Sequence, residues 1–279
     1  MSGTITEAIA ARLDRAGAVP REQDLYTGEG TDFYERLVGA DAAEIREVLA
    51  LAREAAGPVL DVAAGSGRLT IPLVRSGRSV TALDLSDDML SHLRRALPDH
   101  PRLDCVIADM RDFSLPRPYD LVVLGATSIT LLDGEGRARL YASVRRHLAP
   151  GGVFAFSVAG GAAAESLTVP SEQEIRVPGP GPGPGGEETY LFSQQMEEDG
   201  AARLVNWVRL ADIVAGGDVR VLTSRLRVLS HELLSSELVD AGFAEPAVSP
   251  VRTHPGADIL LLTTTWGGTR DRARDDDTA

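Results

Sequence analysis

Residues 58–69, PVLDVAAGSGRL, decide the fold. Val59, Leu60 and Val62 form a short apolar run that suits a buried strand, Asp61 puts a carboxylate near its end, and Gly65-Ser66-Gly67 turns the chain sharply. Glycines at 65 and 67 open backbone conformations closed to other residues and let the main chain approach a ligand without Cβ interference. A helix starting near Arg68 would aim its free N–H groups at the same place. Two glycines between a strand and a helix also suit a plain tight loop, so the flanking sequence has to discriminate.

Working outward, short apolar runs alternate with helical segments from Gly57 to Phe156, the pattern of a parallel sheet covered on both faces. Strands are expected over 58–62, 79–84, 104–108, 121–125 and 153–158, with helices over 68–76, 86–97 and 134–148. Ser86 followed by Asp87 and Asp88 is a helix N-cap with acid at the positive end, and Ala149-Pro150-Gly151-Gly152 stops the last helix. Upstream, Ile5, Ile9 and Leu13 give residues 4–16 one apolar face, and Ile45, Val48, Leu49 and Ala52 do the same for 41–56. Between them DLYTGEGTDFYERLVG gathers Tyr26, Phe33 and Tyr34 in a chain with few aromatic residues.

After Ala159 the composition changes. PGPGPGPGG, residues 178–186, suits only an exposed, partly extended loop. Residues 189–197, 202–213 and 219–229 read as three strands joined at Asp199-Gly200 and Gly216-Gly217-Asp218, an antiparallel meander. A helix over 231–241 follows, and ADILLLTTTW, 257–266, suits a buried strand returning to the main sheet. The expected organisation is α/β: an N-terminal helical arm (1–56), a core (57–160), an inserted antiparallel region (161–230), a return to the core (231–266) and a disordered tail (267–279).

A net charge of -13 and a pI near 4.8 argue against attraction to nucleic acid or an anionic membrane surface. Cys105 is the only cysteine, which excludes an intramolecular disulfide and a thiolate metal cluster, suits a reducing cytosol, and reads as a small buried hydrophobe. No segment has the length and apolarity of a membrane span, and the N-terminus lacks a signal-peptide pattern, so a soluble cytoplasmic protein is expected. No cluster of carboxylates or histidines has metal-ligand spacing, so no metal is expected.

In an open α/β sheet ligands bind at the carboxyl ends of the strands, beside the reversal of strand order. Three consecutive strand ends carry acid there: Asp61 with its glycines, Asp84 closing LDLS and Asp109 closing VIADM. Asp84 lies 17 residues past Gly67, where its two oxygens can take two ribose hydroxyls. A nicotinamide dehydrogenase shares this geometry, but its fingerprint has a third small residue where this chain has Thr70. A nucleoside without a pyrophosphate fits better.

Taken in order and spacing, DVAAGSGRLT, ALDLSDDML, IADMRDF, PYDLVVLGATSITLL and HLAPGGVF, across residues 55–160, resemble the class I S-adenosylmethionine-dependent methyltransferases, with their Rossmann-like sheet. The resemblance implies that Asp61, Ala63, Gly65 and Gly67 surround the methionine part of S-adenosyl-L-methionine and that Asp84 holds the ribose. It further implies that Leu85 and Met89 flank the adenine, Asp109 and the Met110 backbone read its exocyclic amine, and Gly125 to Ser128 lie near the transferred methyl. Met89 also fits the apolar face of its own helix. A sulfonium already carries its positive charge beside the methyl group, so the site's main task is to align an acceptor lone pair with the S–CH3 bond. An amine then needs deprotonation and positioning, whereas a hydroxyl would want a base.

The arm and the meander would cover the cofactor end of the sheet as lid and substrate wall. Their candidates, with the segment after the fourth strand, are Tyr26, Tyr34, Ser128, Trp207, His231, Arg252 and His254. Tyr26 would cap the amino-acid end of the cofactor, and Tyr26, Ser128 and His231 are the catalytic candidates; Trp207 reads rather as meander core, and His231 rather as a helix-start or core residue than as a base. His254, in a loop before Pro255, is open either way. This layout resembles small-molecule N-methyltransferases of amino sugars. GATSITLLDGEGRARLYASVRRHLAPGG and RTHPGADILLL are similar to methyltransferases of the daptide type, which implies dimethylation of an amine at a ribosomal peptide's C-terminus. The expectation is N-methylation of a small-molecule or peptide amine from natural-product biosynthesis, against an O-methyltransferase or a protein that binds the nucleoside without turnover. The oligomeric state is not legible.

Overall fold

A computed structural model describes residues 4–39, 42–180, 186–251 and 258–267. Arg252, His254, the tail beyond Gly267 and residues 181–185 of the Pro/Gly-rich stretch lie outside the described residues. The chain opens with α1 (Glu7–Ala16), β1 (Val19–Asp24), α2 (Glu29–Val38) and α3 (Ile45–Glu54). An alternating run follows: β2 (Val59–Val62), α4 (Thr70–Arg75), β3 (Val80–Asp84), α5 (Asp87–Ala96), β4 (Leu103–Ile107), β5 (Tyr119–Leu124), α6 (Gly134–His147) and β6 (Leu148–Ala159). Next come α7 (Gly161–Ser166), β7 (Ser171–Pro178), β8 (Glu187–Met196), β9 (Arg203–Arg209) and β10 (Asp218–Leu226). Then α8 (His231–Asp240), β11 (Ala247–Pro250) and β12 (Ile259–Thr265) complete the described chain.

Seven strands form one sheet in the order β11-β12-β6-β5-β2-β3-β4. β6, β5, β2, β3 and β4 run parallel, while β12 pairs antiparallel with β6 and with β11. The chain leaves β2 toward β3 and β4 and returns to the other side at β5, so strand order reverses between β2 and β5. That reversal opens a crevice at their carboxyl ends. One face of the sheet packs Leu60, Val62, Leu124 and Phe154 against Tyr141 of α6 and Leu234 and Leu238 of α8; the other packs Val59 and Val123 against Val48, Leu69 and Leu73. Each large apolar side chain buried this way stabilises the fold by about 1.5–3 kcal/mol.

Local chemistry sets the helix starts. Ser86 accepts the Met89 N–H, Asp133 that of Gly136 and Ser230 that of Leu233, at 3.3, 2.8 and 3.2 Å. β6 starts at Leu148, earlier than the expected 153, because Leu148 already pairs with Tyr119 and a register shift absorbs the Pro150-Gly151 stop. Cys105 is half-buried rather than buried, since β4 is the edge of its sheet.

The second sheet has the order β1-β10-β9-β8-β7. The antiparallel meander is β8-β9-β10; β7 adds an edge on one side and β1, running parallel to β10, on the other. β1 is VPREQD, almost wholly exposed, with no apolar alternation to announce it and a proline that an edge strand tolerates. The two faces of this sheet are covered by the arm. Ile9 and Leu13 of α1 pack on Val208, Val219 and Val221, while Phe33 of α2 packs on Tyr190 and Trp207 with ring centroids 4.3 and 5.2 Å apart. Among the described residues no helix is long and apolar enough to cross a membrane.

Candidate functional site

A cleft of about 510 Å³ lies at the β2/β5 reversal, within the size range of small-molecule sites. Its core wall is made of loops that leave strands. Ala63 and Gly65, after β2, take left-handed φ values of 52° and 56°, and a Cβ at Gly65 would meet open space. Gly67 is different: a Cβ there would sit 2.5 Å from Leu93 Cδ1 and it does not line the cleft, so its missing side chain serves helix packing. Asp61 is buried, lines the cleft, and accepts the Thr70 hydroxyl at 2.6 Å. The residue that breaks the dinucleotide fingerprint thus ties the strand end to α4. Burial pushes the Asp61 carboxyl up to about 7, against the hydrogen bond from Thr70, which favours the charged form.

Asp84 closes β3 at the cleft. Its Oδ2 accepts the Gly65 N–H and its Oδ1 the Ser86 N–H, both at 2.8 Å, which locks the glycine turn and the carboxylate to each other. Burial raises its pKa, and these backbone donors oppose the shift. Leu85 is largely exposed at the cleft, whereas Met89 is buried and serves as both core and floor. Asp109 and Met110 line the cleft as well. The Asp109 carboxylate is held by the Arg111 side chain at 2.5–3.0 Å, which keeps its pKa below the usual range, so an amine at this point would share it with Arg111.

Past β5 the backbone is unusual: Ala126 and Thr127 both adopt left-handed φ, 54° and 53°. Glu44, itself left-handed and buried just before α3, holds this elbow. Its carboxylate accepts the Ala126 N–H at 3.2 Å, the Ser157 hydroxyl at 2.5 Å and Arg68 at 3.1 Å, while Ser157 in turn accepts the Thr127 N–H at 3.0 Å. A Cβ at Gly125 would lie 2.5 Å from Leu69 Cδ1 and 2.9 Å from Glu44 Oε2, so any side chain there must push both aside and disturb the Glu44 contacts. Gly125 and Ser128 both line the cleft, the latter opening a 3₁₀ turn over Ser128–Leu131. Glu44 and Arg68 escaped sequence reading: Glu44 looks like an ordinary acid near a helix start, and only its tertiary partners distinguish it.

The opposite wall comes from the arm and the second sheet. Tyr26 and Tyr34 line the cleft with their rings edge to face at 5.3 Å, and Leu226 of β10 lines it too. Burial raises the Tyr26 phenol well above its ordinary pKa, leaving it a neutral donor. The arm is anchored across the cleft: the Gly28 N–H donates to Asp88 of α5 at 2.8 Å, and Asp32 lies 3.1 Å from His92. Trp207 is buried among Phe33 and Phe192, in the sheet's own core. His231 is not brought to the cleft. It is the first residue of α8, with Nε2 3.1 Å from Glu232, and α8 is fixed to α6 on the outer face of the core by the Arg137–Glu237 pair at 2.6 and 2.8 Å.

A parallel sheet with a reversal-point cleft, a glycine turn locked to an acidic strand end, and no pyrophosphate fingerprint defines a nucleoside-binding α/β protein of the methyltransferase type. Residues 59–152 match the methyltransferase domain family. The glycopeptide N-methyltransferase MtfA, solved with S-adenosyl-L-homocysteine, is 31% identical, with 94% of this chain and 98% of that one covered at a TM-score of 0.61. The dTDP-3-amino-3,4,6-trideoxy-alpha-D-glucopyranose N,N-dimethyltransferase of Streptomyces venezuelae is 35% identical over 46% of this chain and 51% of its own length. The dTDP-3-amino-3,6-dideoxy-alpha-D-glucopyranose N,N-dimethyltransferase of Streptomyces fradiae is also 35% identical, over 51% and 53%. The chain belongs to the class I S-adenosylmethionine-dependent methyltransferases. It spans about half the length of the curated relatives it matches.

Proposed function

We propose that the protein transfers a methyl group from S-adenosylmethionine to the nitrogen of an amine on a natural product, of the amino-sugar or glycopeptide kind. The cleft carries this reading. A nucleoside would sit among Asp84, Leu85 and Met89 and an amino-acid tail among Ala63, Gly65 and Tyr26, all of which line the cleft, with Gly125 to Ser128 beside the reacting end. The bound cofactor supplies an electrophilic methyl on a sulfonium. The chain's own part is to fix the elbow at 125–128, exclude water beneath the Tyr26–Tyr34 pair, and orient the acceptor nitrogen. Ser128 and Tyr26 are the polar side chains proposed to position that amine. His231, at the start of α8, does not line this cleft.

The relatives act on dTDP-linked amino sugars and a glycopeptide, which supports an amine of that class. The narrower reading, a C-terminal amine of a daptide-type peptide, rests on the resemblance of residues 125–152 and the RTHPGADILLL segment. Methyl-labelled S-adenosylmethionine incubated with a dTDP-amino sugar, a glycopeptide with a free amine and a peptide bearing a C-terminal amine separates these. Label on nitrogen supports the proposal and identifies the acceptor; label only on hydroxyl acceptors, or none with cofactor bound, refutes it.

A further inference from the structure

The inner face of the five-stranded sheet carries a polar group that the cofactor site does not use. Residues opposite each other in a ladder share a face, as do residues two apart along a strand. Arg203 is opposite Leu226, Val205 is opposite both Ser224 and Gln194, and Leu226 lines the cleft with Tyr26. Gln194, Arg203 and Ser224 therefore stand on the side of the sheet that faces the cleft, one layer behind its Tyr26–Leu226 lining and not in the lining itself. Gln194 is fixed, its amide nitrogen donating to the Ser166 and Val169 carbonyls at 3.1 and 2.9 Å and its oxygen accepting from Arg203.

Two atoms of this group are orphaned. The Arg203 Nε and the Ser224 hydroxyl are buried without a hydrogen-bond partner, and among the described residues no carboxylate pairs with Arg203. The neighbouring arginines on the same sheet do have carboxylates: Arg209 holds Glu188 and Asp212, and Arg225 holds Glu197. Burial holds the Arg203 guanidinium below the usual arginine range, and the Tyr26 phenol is within electrostatic reach. A partly buried cation with an orphaned donor, and an orphaned hydroxyl diagonal to it on the same face, is costly unless an anion satisfies both.

We infer that Arg203 and Ser224 form a seat for an anionic oxygen group, a phosphate or a carboxylate, of the methyl acceptor. Arg203 would receive it in a charge-assisted hydrogen bond and Ser224 would donate to a second oxygen. The seat then sets which amines are accepted, those carrying an anion that can reach behind the Tyr26–Leu226 wall of the cleft. This inference rests on the methyltransferase reading, but its test needs no turnover. Calorimetry on protein saturated with S-adenosylhomocysteine measures binding of inorganic pyrophosphate and of succinate to wild type, Arg203→Gln, Arg203→Lys and Ser224→Ala. At least one anion is expected to bind wild type, to weaken about tenfold or more in Arg203→Gln, to recover in part in Arg203→Lys, and to weaken about threefold in Ser224→Ala; which anion does so identifies the source. Should Arg203→Gln not fold, the Arg203→Lys and Ser224→Ala values decide. Equal binding by all variants, or no anion binding to wild type, overturns the seat. So does a tenfold loss of S-adenosylhomocysteine affinity in Arg203→Gln with anion binding unchanged, which would give the seat to the cofactor's own carboxylate. Failure of wild type to bind S-adenosylhomocysteine would instead count against the methyltransferase reading.

Discussion

The two sheets present the cleft with opposite kinds of surface. The seven-stranded sheet offers backbone: left-handed turns at 63–65 and 126–127, each locked by a carboxylate that accepts one of its N–H groups, Asp84 that of Gly65 and Glu44 that of Ala126. The five-stranded sheet and the arm offer side chains instead, the edge-to-face Tyr26 and Tyr34, Leu226, and behind them Arg203 and Ser224. A surface of backbone and buried carboxylates tolerates almost no substitution and suits a ligand that never changes. A surface of side chains on a sheet can be rebuilt residue by residue, which suits the variable partner in methyl transfer.

If that division holds, lesions on the core wall weaken cofactor binding or the fold, and lesions on the opposite wall spare the cofactor. On cofactor affinity the largest effect is expected from Gly125→Val, whose added carbons would press on Leu69 and Glu44. Calorimetry should find S-adenosylhomocysteine affinity down about 100-fold, roughly 2.7 kcal/mol, with loss of stability besides. Glu44→Gln leaves the largely buried Arg68 without its counter-charge, and urea unfolding should show a loss of about 4 kcal/mol, against about 1 kcal/mol for Ser157→Ala. On the other wall, Phe33→Ala removes the side chain that packs α2 on Tyr190 and Trp207, at a cost of about 3 kcal/mol by the same measurement. Its S-adenosylhomocysteine affinity should nonetheless stay within about threefold of wild type; a collapse of cofactor binding would erase the distinction between the walls.

The last effect is a pH dependence. Burial raises Asp61 to about 7 in the folded protein, so between about pH 4 and 7 the folded state holds a proton that the unfolded chain has released. Asp61 therefore favours folding at the acid end of that window, and its contribution declines as pH rises through 7. Asp61→Asn should remove that slope, gaining on the order of 2 kcal/mol relative to wild type between pH 4.5 and 8, as read from denaturant unfolding across the range.

The core wall was largely legible in the sequence because each of its parts sits within a few residues of a strand end. Asp61, Gly65, Asp84, Asp109 and Gly125 follow apolar runs that need no tertiary information to recognise. Even there, the cleft-facing glycine (65) and the packing glycine (67) look alike until Leu93 is seen against the second. The opposite wall was legible only as a meander. β1 pairs with β10 across some two hundred residues of chain, and its polar, proline-bearing sequence has no periodicity to betray it. Glu44 illustrates the same limit: a carboxylate's meaning depended on Ala126, Ser157 and Arg68, none near it in the chain. His231 shows the converse, where residue type suggested a base and the helix that begins with it faces elsewhere.

The central claim, that the β2/β5 cleft holds the nucleoside of S-adenosylmethionine with Asp84 on its ribose, is tested most directly by titrating S-adenosylhomocysteine into wild type and Asp84→Ala in a calorimeter. Binding weakened by about tenfold or more in the variant, with its melting profile still cooperative, is the predicted result. Equal affinity in the two proteins would contradict the claim.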